Sequence, residues 1–383
     1  MPETQSIVNR KMRHRGRVPQ IFMVLGKLFR MFVYQNDWKV FPMAALIAGL
    51  LAYVIRADFM KTMEGTIKGA FAISCVAIWN GCFNSIQVIC RERDILKREH
   101  RSGLHISSYI IAHMMYQAVL CLGQTIVLLD VFRFVEIQFP AKGFMTRWFV
   151  VDVGITIFLV TFSADMLALL ISALVHSTTT AMTVMPFLLI FQLVFSGGLF
   201  SLPAWTAPIT NLTVSHFGLV CITAQSDYNS LPMASAWNTL SKMRNTPIEG
   251  TVTMGEMLDL MGEDTAERSD LIRDFRNTDL KEMADQPLTV GDVIDYAAQD
   301  PGLETVREKE YEGTITIGEI IDIFGENEVK QAVSKHSMAA GQNPEYERSG
   351  PNILGCWFTL AWYAFLYAVL AVIALESIDK DKR

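Results

Sequence analysis

The sequence predicts a mainly α-helical protein that crosses a membrane several times and carries one water-soluble insert. Three observations lead there. Of 383 residues, 51% are apolar and the mean hydropathy is +0.28, too apolar for an ordinary soluble chain. Several stretches are nearly free of charge and approach the ~20 residues that a helix needs to cross hydrocarbon. Charge is also split along the chain: residues 203–351 hold 11 basic and 25 acidic residues, net −14, and the remainder holds 22 and 14, net +8. The membrane part is therefore basic and the insert strongly acidic. The expected architecture has six transmembrane helices, an N-terminal interfacial helix, and a soluble, mainly helical or α+β extracytoplasmic insert between spans five and six. The expected segments are 1–37 (basic tail and interfacial helix), 38–224 (spans one to five with an outer return), 225–351 (acidic insert) and 352–383 (sixth span and tail).

Taken in order, the first segment clusters Arg10, Lys11, Arg13, Arg15 and Arg17. Such charges stay on the cytoplasmic side, and no cleavable signal follows them. Beside so much membrane sequence, this basic run does not point to nucleic acid. Residues 21–33 are amphipathic at helical spacing, with Ile21, Phe22, Leu25, Leu28, Phe29 and Phe32 on one face and Lys27 and Arg30 opposite. That pattern suits a helix lying in the headgroup plane. Span one covers about 41–55, with Trp38, Lys39 and Arg56 as anchors, and span two covers 69–90, which has no charged residue.

A dense cluster follows. Residues 91–103 read RERDILKREHRSG and place eight formal charges between Arg91 and Arg101. They cannot sit in hydrocarbon, where each charge costs several kcal/mol, and five basic residues favour the cytoplasmic face. On charge alone this is a solvated cytoplasmic loop. The order Glu92-Arg93, Arg98-Glu99, Gly103 and then Ser107-Ser108-Tyr109 resembles the loop between spans two and three of type-2 ABC exporter permeases, most closely their G subfamily (the white/pleiotropic-drug group). Leu96 stands where that group has an aromatic residue. The resemblance implies a coupling helix that docks on a separate ATPase subunit, with Glu92, Arg93, Leu96, Arg98, Glu99 and Gly103 in the coupling segment. The mixed signs fit a helix with one docking pose better than a uniformly basic lipid anchor.

Span three is about 107–129 and span four about 148–175, the latter carrying Asp152 near its end and Asp165 near its middle. A mid-span carboxylate must face protein or a water-filled cavity. Asp165 is therefore either a substrate-path residue or a structural hydrogen-bonding partner. Span five, about 180–200, ends in Phe195-Ser196-Gly197-Gly198 and then Pro203 and Trp205. This is similar to the same subfamily's span-five end, which turns into a short helical return, here 209–224. Gln192, Gly197 and Gly198 join Asp165 as candidate path residues, although Gly197-Gly198 also reads as a helix terminus.

The insert contains a repeat. Residues 249–262 read EGTVTMGEMLDLMG, 312–325 read EGTITIGEIIDIFG and 287–299 read PLTVGDVIDYAAQ. Thr253, Thr289 and Thr316 each precede an acid by three residues (Glu256, Asp292, Glu319). Thr-x-x-Glu is a capping box, and Asp is a weaker version. Each unit therefore predicts an extended segment entering a capped helix. The last span is about 353–375, followed by a polar tail. Of six cysteines, Cys221 and Cys356 alone fall where an oxidising side would reach them.

No phosphate-cradling Gly-x-x-x-x-Gly-Lys-Ser/Thr occurs, nor a zinc-type cluster, a Gly-x-Ser-x-Gly elbow or an EF-hand loop. The chain is expected to be no enzyme, to bind no cofactor or metal, and to leave ATP and Mg to a partner ATPase. The resemblance implies a permease moving an amphipathic substrate (lipid, glycan precursor, peptide or drug) outward across the plasma membrane. It also implies a second permease copy or paralogue, a surrounding bilayer and cytoplasmic termini. The alternative is a non-transporting receptor or scaffold displaying the acidic domain.

Overall fold

The computed structural model describes residues 16–198, 204–263, 270–283, 286–299, 301–308 and 310–376. Most of the basic tail, Pro203 and the polar C-terminal tail lie outside the described residues. The chain divides into two compact units, Met1–Leu231 with Asn343–Arg383, and Pro232–Gln342.

The first unit is helical. Helix α1, Arg17–Tyr34, buries Gln20, Val24 and Leu28 against a later helix. Helix α2, Val40–Ile55, buries Ala44, Ala48, Ala52 and Ile55 at one-turn spacing. Helix α3, Met63–Ser85, starts at Thr62, whose hydroxyl accepts from Gly65 N at 3.1 Å. A bend at Ile86–Gln87 separates it from α4, Val88–Arg101, so the last residues expected in span two belong to the charged helix. Then come α5, Ile106–Phe134; α6, Phe149–Leu174; and α7, Thr178–Val194. The short α8, Ala207–Thr210, precedes α9, Val214–Gln225, and one helix of this unit, Gly350–Glu376, closes the chain.

Five helical stretches among the described residues are long and apolar enough to cross a membrane: Asp37–Ile55, Met63–Arg101, Ile106–Phe134, Phe149–Leu174 and Gly350–Glu376. Helix α7, the expected fifth span, has 17 residues up to Val194. Helix α9 has 12 residues, about 18 Å of helix against a ~30 Å hydrocarbon core. Every residue of α9 except Phe217 is buried, so protein encloses this helix.

Small residues set the packing at the centre. Helix α3 presents Ala70, Ser74, Ala77, Gly81 and Ser85, all buried and many at four-residue spacing. A Cβ on Gly81 would lie 2.2 Å from the Thr161 carbonyl oxygen of α6. Where lipid replaces water, such close backbone approach is what drives helices together. At the start of α6, Asp152 accepts from the backbone N–H groups of Phe144, Met145 and Thr146 at 2.8, 2.9 and 2.8 Å. Its role is to fold the preceding loop.

The second unit mixes short helices with two antiparallel pairs. In order it holds α10, Ala234–Lys242; β1, Pro247–Thr253; α11, Met254–Leu260; α12, Asp270–Arg276; β2, Asp279–Met283; β3, Gln286–Thr289; and α13, Val290–Gln299. There follow α14, Glu304–Arg307; β4, Glu310–Thr316; α15, Ile317–Phe324; and α16, Glu326–Gly341. The closing helix of the first unit is α17. All three repeat threonines cap helices: Thr253 and Thr316 form full capping boxes with Glu256 and Glu319, and Thr289 Oγ1 accepts from Asp292 N at 3.3 Å.

Each repeat also carries an arginine that sequence reading missed. Arg276 lies across Gly291 of α13 and donates to both Asp295 oxygens, at 2.9 and 2.5 Å. Arg307 lies across Gly255 of α11 and donates to Asp259 at 2.8 Å, and Arg244 backs Gly318 of α15 and pairs with Asp322. The glycine in Thr-x-Gly thus makes room for an arginine stem, and the final Asp receives its head. Strands β1 and β4 pair around Gly250↔Gly313, so Arg244 and Arg307 exchange helices, whereas Arg276 holds the helix after its own β2–β3 hairpin.

Candidate functional site

The charged helix α4 is fastened to its own unit on three sides. At its start, the Ser172 hydroxyl of α6 accepts from Ile89 N and Cys90 N at 3.0 and 3.2 Å. Those N–H groups belong to a first turn that has no intrahelical partner. One turn on, Arg93 Nη1 donates to the carbonyl oxygens of Ala173 and Val175 at 2.9 and 3.1 Å. A cation at these carbonyls satisfies the C-terminal end of α6 and complements its dipole.

The second side faces α1. Lys27 Nζ lies 3.8 Å from Glu92 and 3.6 Å from Glu99, one carboxylate on each side of it. The third side is the exit. Gly103 has φ +104°, which favours glycine. Its carbonyl oxygen accepts from Gln20 Nε2 at 3.0 Å, while Gln20 Oε1 accepts from His105 N at 2.9 Å. Gln20 therefore pins the α4–α5 turn to α1. Leu96 is 1% exposed beneath the helix.

Of the six expected coupling residues, five serve this fastening. Glu92, Arg93, Leu96, Glu99 and Gly103 turn toward the helical unit, and Arg98 alone is exposed. Its neighbours on that face are Arg91, Asp94, Ile95 and Arg101, all exposed at helical spacing. Ile95, 39% exposed, is an apolar residue in the middle of a charged stripe. Ile89, Cys90 and Leu96 are the buried residues of the helix, and Glu92, Arg93 and Glu99 flank them, where helix-end carbonyls and Lys27 receive their charges.

The ABC-2 type transporter family matches residues 3–212, more than half of the chain. The chain belongs to that family. It is a permease component of an ABC transporter and a multi-pass membrane protein. No curated protein matches the chain. The second unit of this ABC-2 permease, Pro232–Gln342, falls beyond the matched residues.

The candidate path residues occupy two places in the ABC-2 permease. Asp165 is fully buried on α6, where Cys121 Sγ donates to its Oδ2 at 3.3 Å and its Oδ1 has no partner among the described residues. Nearby, Asn84 and Gln124 exchange two amide hydrogen bonds of 2.9 and 3.0 Å, and Gln117 donates to Ser85 at 2.8 Å. The mid-span carboxylate therefore faces a polar seam between helices. The other three residues gather where α7 meets α9. Gln192 Oε1 accepts from Ser215 N at 3.1 Å and so caps α9. Gly197 has φ +82°, and a Cβ on Gly198 would meet Phe71 at 2.8 Å.

His216 completes this junction. Its Nδ1 lies 3.1 Å from the Ser196 carbonyl oxygen and its Nε2 lies 3.1 Å from Glu345 Oε1. The hydrogen bond from His216 holds the Glu345 carboxyl below its usual range, against the opposing effect of burial. Among the described residues no group of three His, Cys, Asp or Glu side chains is placed to hold a metal.

Proposed function

We propose that this chain is the membrane subunit of an ATP-driven exporter, and that α4 is the element a separate ATPase subunit grips. The observation that carries this reading is the division of labour on α4. One face is fastened to α1 and α6, and the other offers Arg91, Asp94, Ile95 and Arg98 outward. A helix bolted to several spans transmits a push to all of them, and a mixed-sign stripe around one apolar residue specifies a pose. The likeness to the G subfamily supports the same assignment.

In this reading Arg98 docks, and Glu92, Arg93, Leu96, Glu99 and Gly103 transmit. The α7–α9 junction with Gln192, Gly197 and Gly198 borders the pathway, and Asp165 tunes the polar seam behind it. Apolar side chains exposed on α3 and α7, among them Phe83, Phe187 and Ile190, supply a face for a second permease copy. The cargo is amphipathic, ATP and Mg are held by the ATPase, and both termini and α4 are cytoplasmic in the plasma membrane.

The test is purification of the tagged chain from its own membranes. Recovery of an ATPase carrying a phosphate-binding Gly-rich loop, lost with Ile95→Asp or Arg98→Glu, supports the exporter. Purification with no such subunit favours a receptor or scaffold. Sidedness is tested by single cysteines in a cysteine-free background. One at Ser102 should react with an impermeant maleimide only after the membrane is opened, and one at Asn245 should react in intact cells.

A further inference from the structure

A cavity of about 330 Å³ lies inside the first unit, at the joint where α1, α3, α4 and α5 meet. Its walls divide by chemistry. Leu28, Phe32, Phe83, Ile86 and Leu120 give an apolar side, and Gln35, Asn84, Gln87 and Gln117 give four carboxamides. His113 also lines it. Both His113 ring nitrogens and Gln117 Oε1 are buried without a hydrogen-bond partner among the described residues, and each residue is only 1% exposed. Buried polar groups nearly always have partners, so three orphans at one wall call for one.

We infer that this cavity binds the head of a membrane amphiphile whose headgroup is neutral and rich in hydroxyls. Carboxamides and imidazole both donate and accept, which suits hydroxyl groups that do the same. The charges argue against a phosphate head: among the described residues, Asp37 and Glu92 line the cavity against a single lining cation, Arg91, an unfavourable balance for an anion. The apolar wall and the exposure of Phe83, 47%, at its margin point to an attached hydrocarbon chain rather than a free sugar. The volume is in the range that small-ligand pockets occupy, roughly 300–1,000 Å³. The site lies against α4, away from the α7–α9 junction, and shares Asn84 and Gln117 with the polar seam beside Asp165.

The test uses the full chain in phosphatidylcholine nanodiscs with a photoactivatable diglucosyl diacylglycerol, and adducts are mapped by mass spectrometry. Adducts should fall on the peptides around Phe83 and Leu120, and unlabelled diglucosyl lipid should compete them away. An equal excess of phosphatidylglycerol or free maltose should not. Gln117→Leu should cut labelling about fivefold, the effect of one lost hydrogen bond. Gln87→Leu, at the half-exposed edge, should do the same if the deeper variant fails to fold. Equal labelling by a phosphatidylglycerol probe, competition by maltose, labelling unchanged in both variants, or no adducts at all would each overturn the assignment, the last leaving a water-filled void. The assay needs no ATPase, so its outcome is independent of the exporter reading.

Discussion

Arg93 Nη1 donates to the carbonyl oxygen of Ala173 at 2.9 Å, tying the charged helix α4 to the C-terminal end of α6. Replacing Arg93 by alanine removes both of its carbonyl contacts from a half-buried place. The expected cost is about 1.5–3 kcal/mol, the range for hydrogen bonds with a charged partner. Arg98→Glu, on the exposed face, should leave the thermal unfolding midpoint of the detergent-solubilised chain nearly unchanged. Equal midpoints for the two variants would show that Arg93 is no anchor.

Gln20 and Gly103 form the second anchor. Gly103→Ala puts a side chain at φ +104°, a strain of about 1–2 kcal/mol. Gln20→Leu leaves the Gly103 carbonyl and the His105 N–H without their partners, about 1–3 kcal/mol for each group that water cannot reach. Hydrogen exchange at the α4–α5 turn measures both. Faster exchange at His105 is expected in Gln20→Leu, and unchanged protection would refute the pin.

These anchors explain how much of α4 the sequence disclosed. Eight charges between two apolar runs located the helix, because charge and hydrocarbon exclude each other locally. Which way each charge faces was not legible. Arg93 answers to carbonyls 80 and 82 positions away, and Gln20 to a turn 83 positions away. The one local sign was Gln20 itself, a polar residue on the stripe it shares with Val24 and Leu28. The insert divides the same way. Thr-x-x-Glu announces a cap because both partners lie within one turn, but Arg244 and Asp322 are 78 positions apart, and only folding joins them.

Gly81→Ala should be among the most damaging single-methyl changes. The added carbon meets a backbone oxygen at 2.2 Å, which no rotamer change relieves, so α3 and α6 must separate. Overpacking of this kind costs about 1–3 kcal/mol or more. Gly355→Ala on α17 meets nothing within 4 Å and should be neutral or stabilising by up to ~1 kcal/mol through helix propensity. Comparing folded yields of the two variants decides the point.

The His216–Glu345 contact makes a pH prediction. Glu345 is held below its usual range by the hydrogen bond from His216. A depressed carboxylate stabilises the folded state above its unfolded value, about 4.3, and that contribution disappears as pH falls through the folded value. Acidification through that window should therefore loosen the α9 junction in the wild type. Glu345→Gln should flatten the dependence, as read from the unfolding midpoint against pH. Identical pH profiles would sink the assignment.

The insert supplies a ranking of three arginines. Expressed alone, residues 232–342 should unfold cooperatively, since Ile272 of α12, Ile294 of α13 and Ile321 of α15 are all buried apolar side chains. Each cap threonine changed to alanine should cost about 1 kcal/mol. Asp292 and Glu319, both depressed by their threonine partners, should make the unit lose stability as pH drops below the usual carboxylate range. Among the hooks, Arg276 is the most buried, with a side chain 10% exposed, and it grips Asp295 with two nitrogens while also donating to the Met261 carbonyl. Arg276→Ala should cost about 1.5–3 kcal/mol. The Arg307 and Arg244 side chains are 27% and 38% exposed, and their ion pairs should be worth ~1 kcal/mol or less through solvent screening. Denaturant midpoints should therefore fall in the order Arg276, then Arg307, then Arg244. The reverse order would show that the exchanged β1–β4 pair, rather than the closed β2–β3 hairpin, carries the stability of the unit.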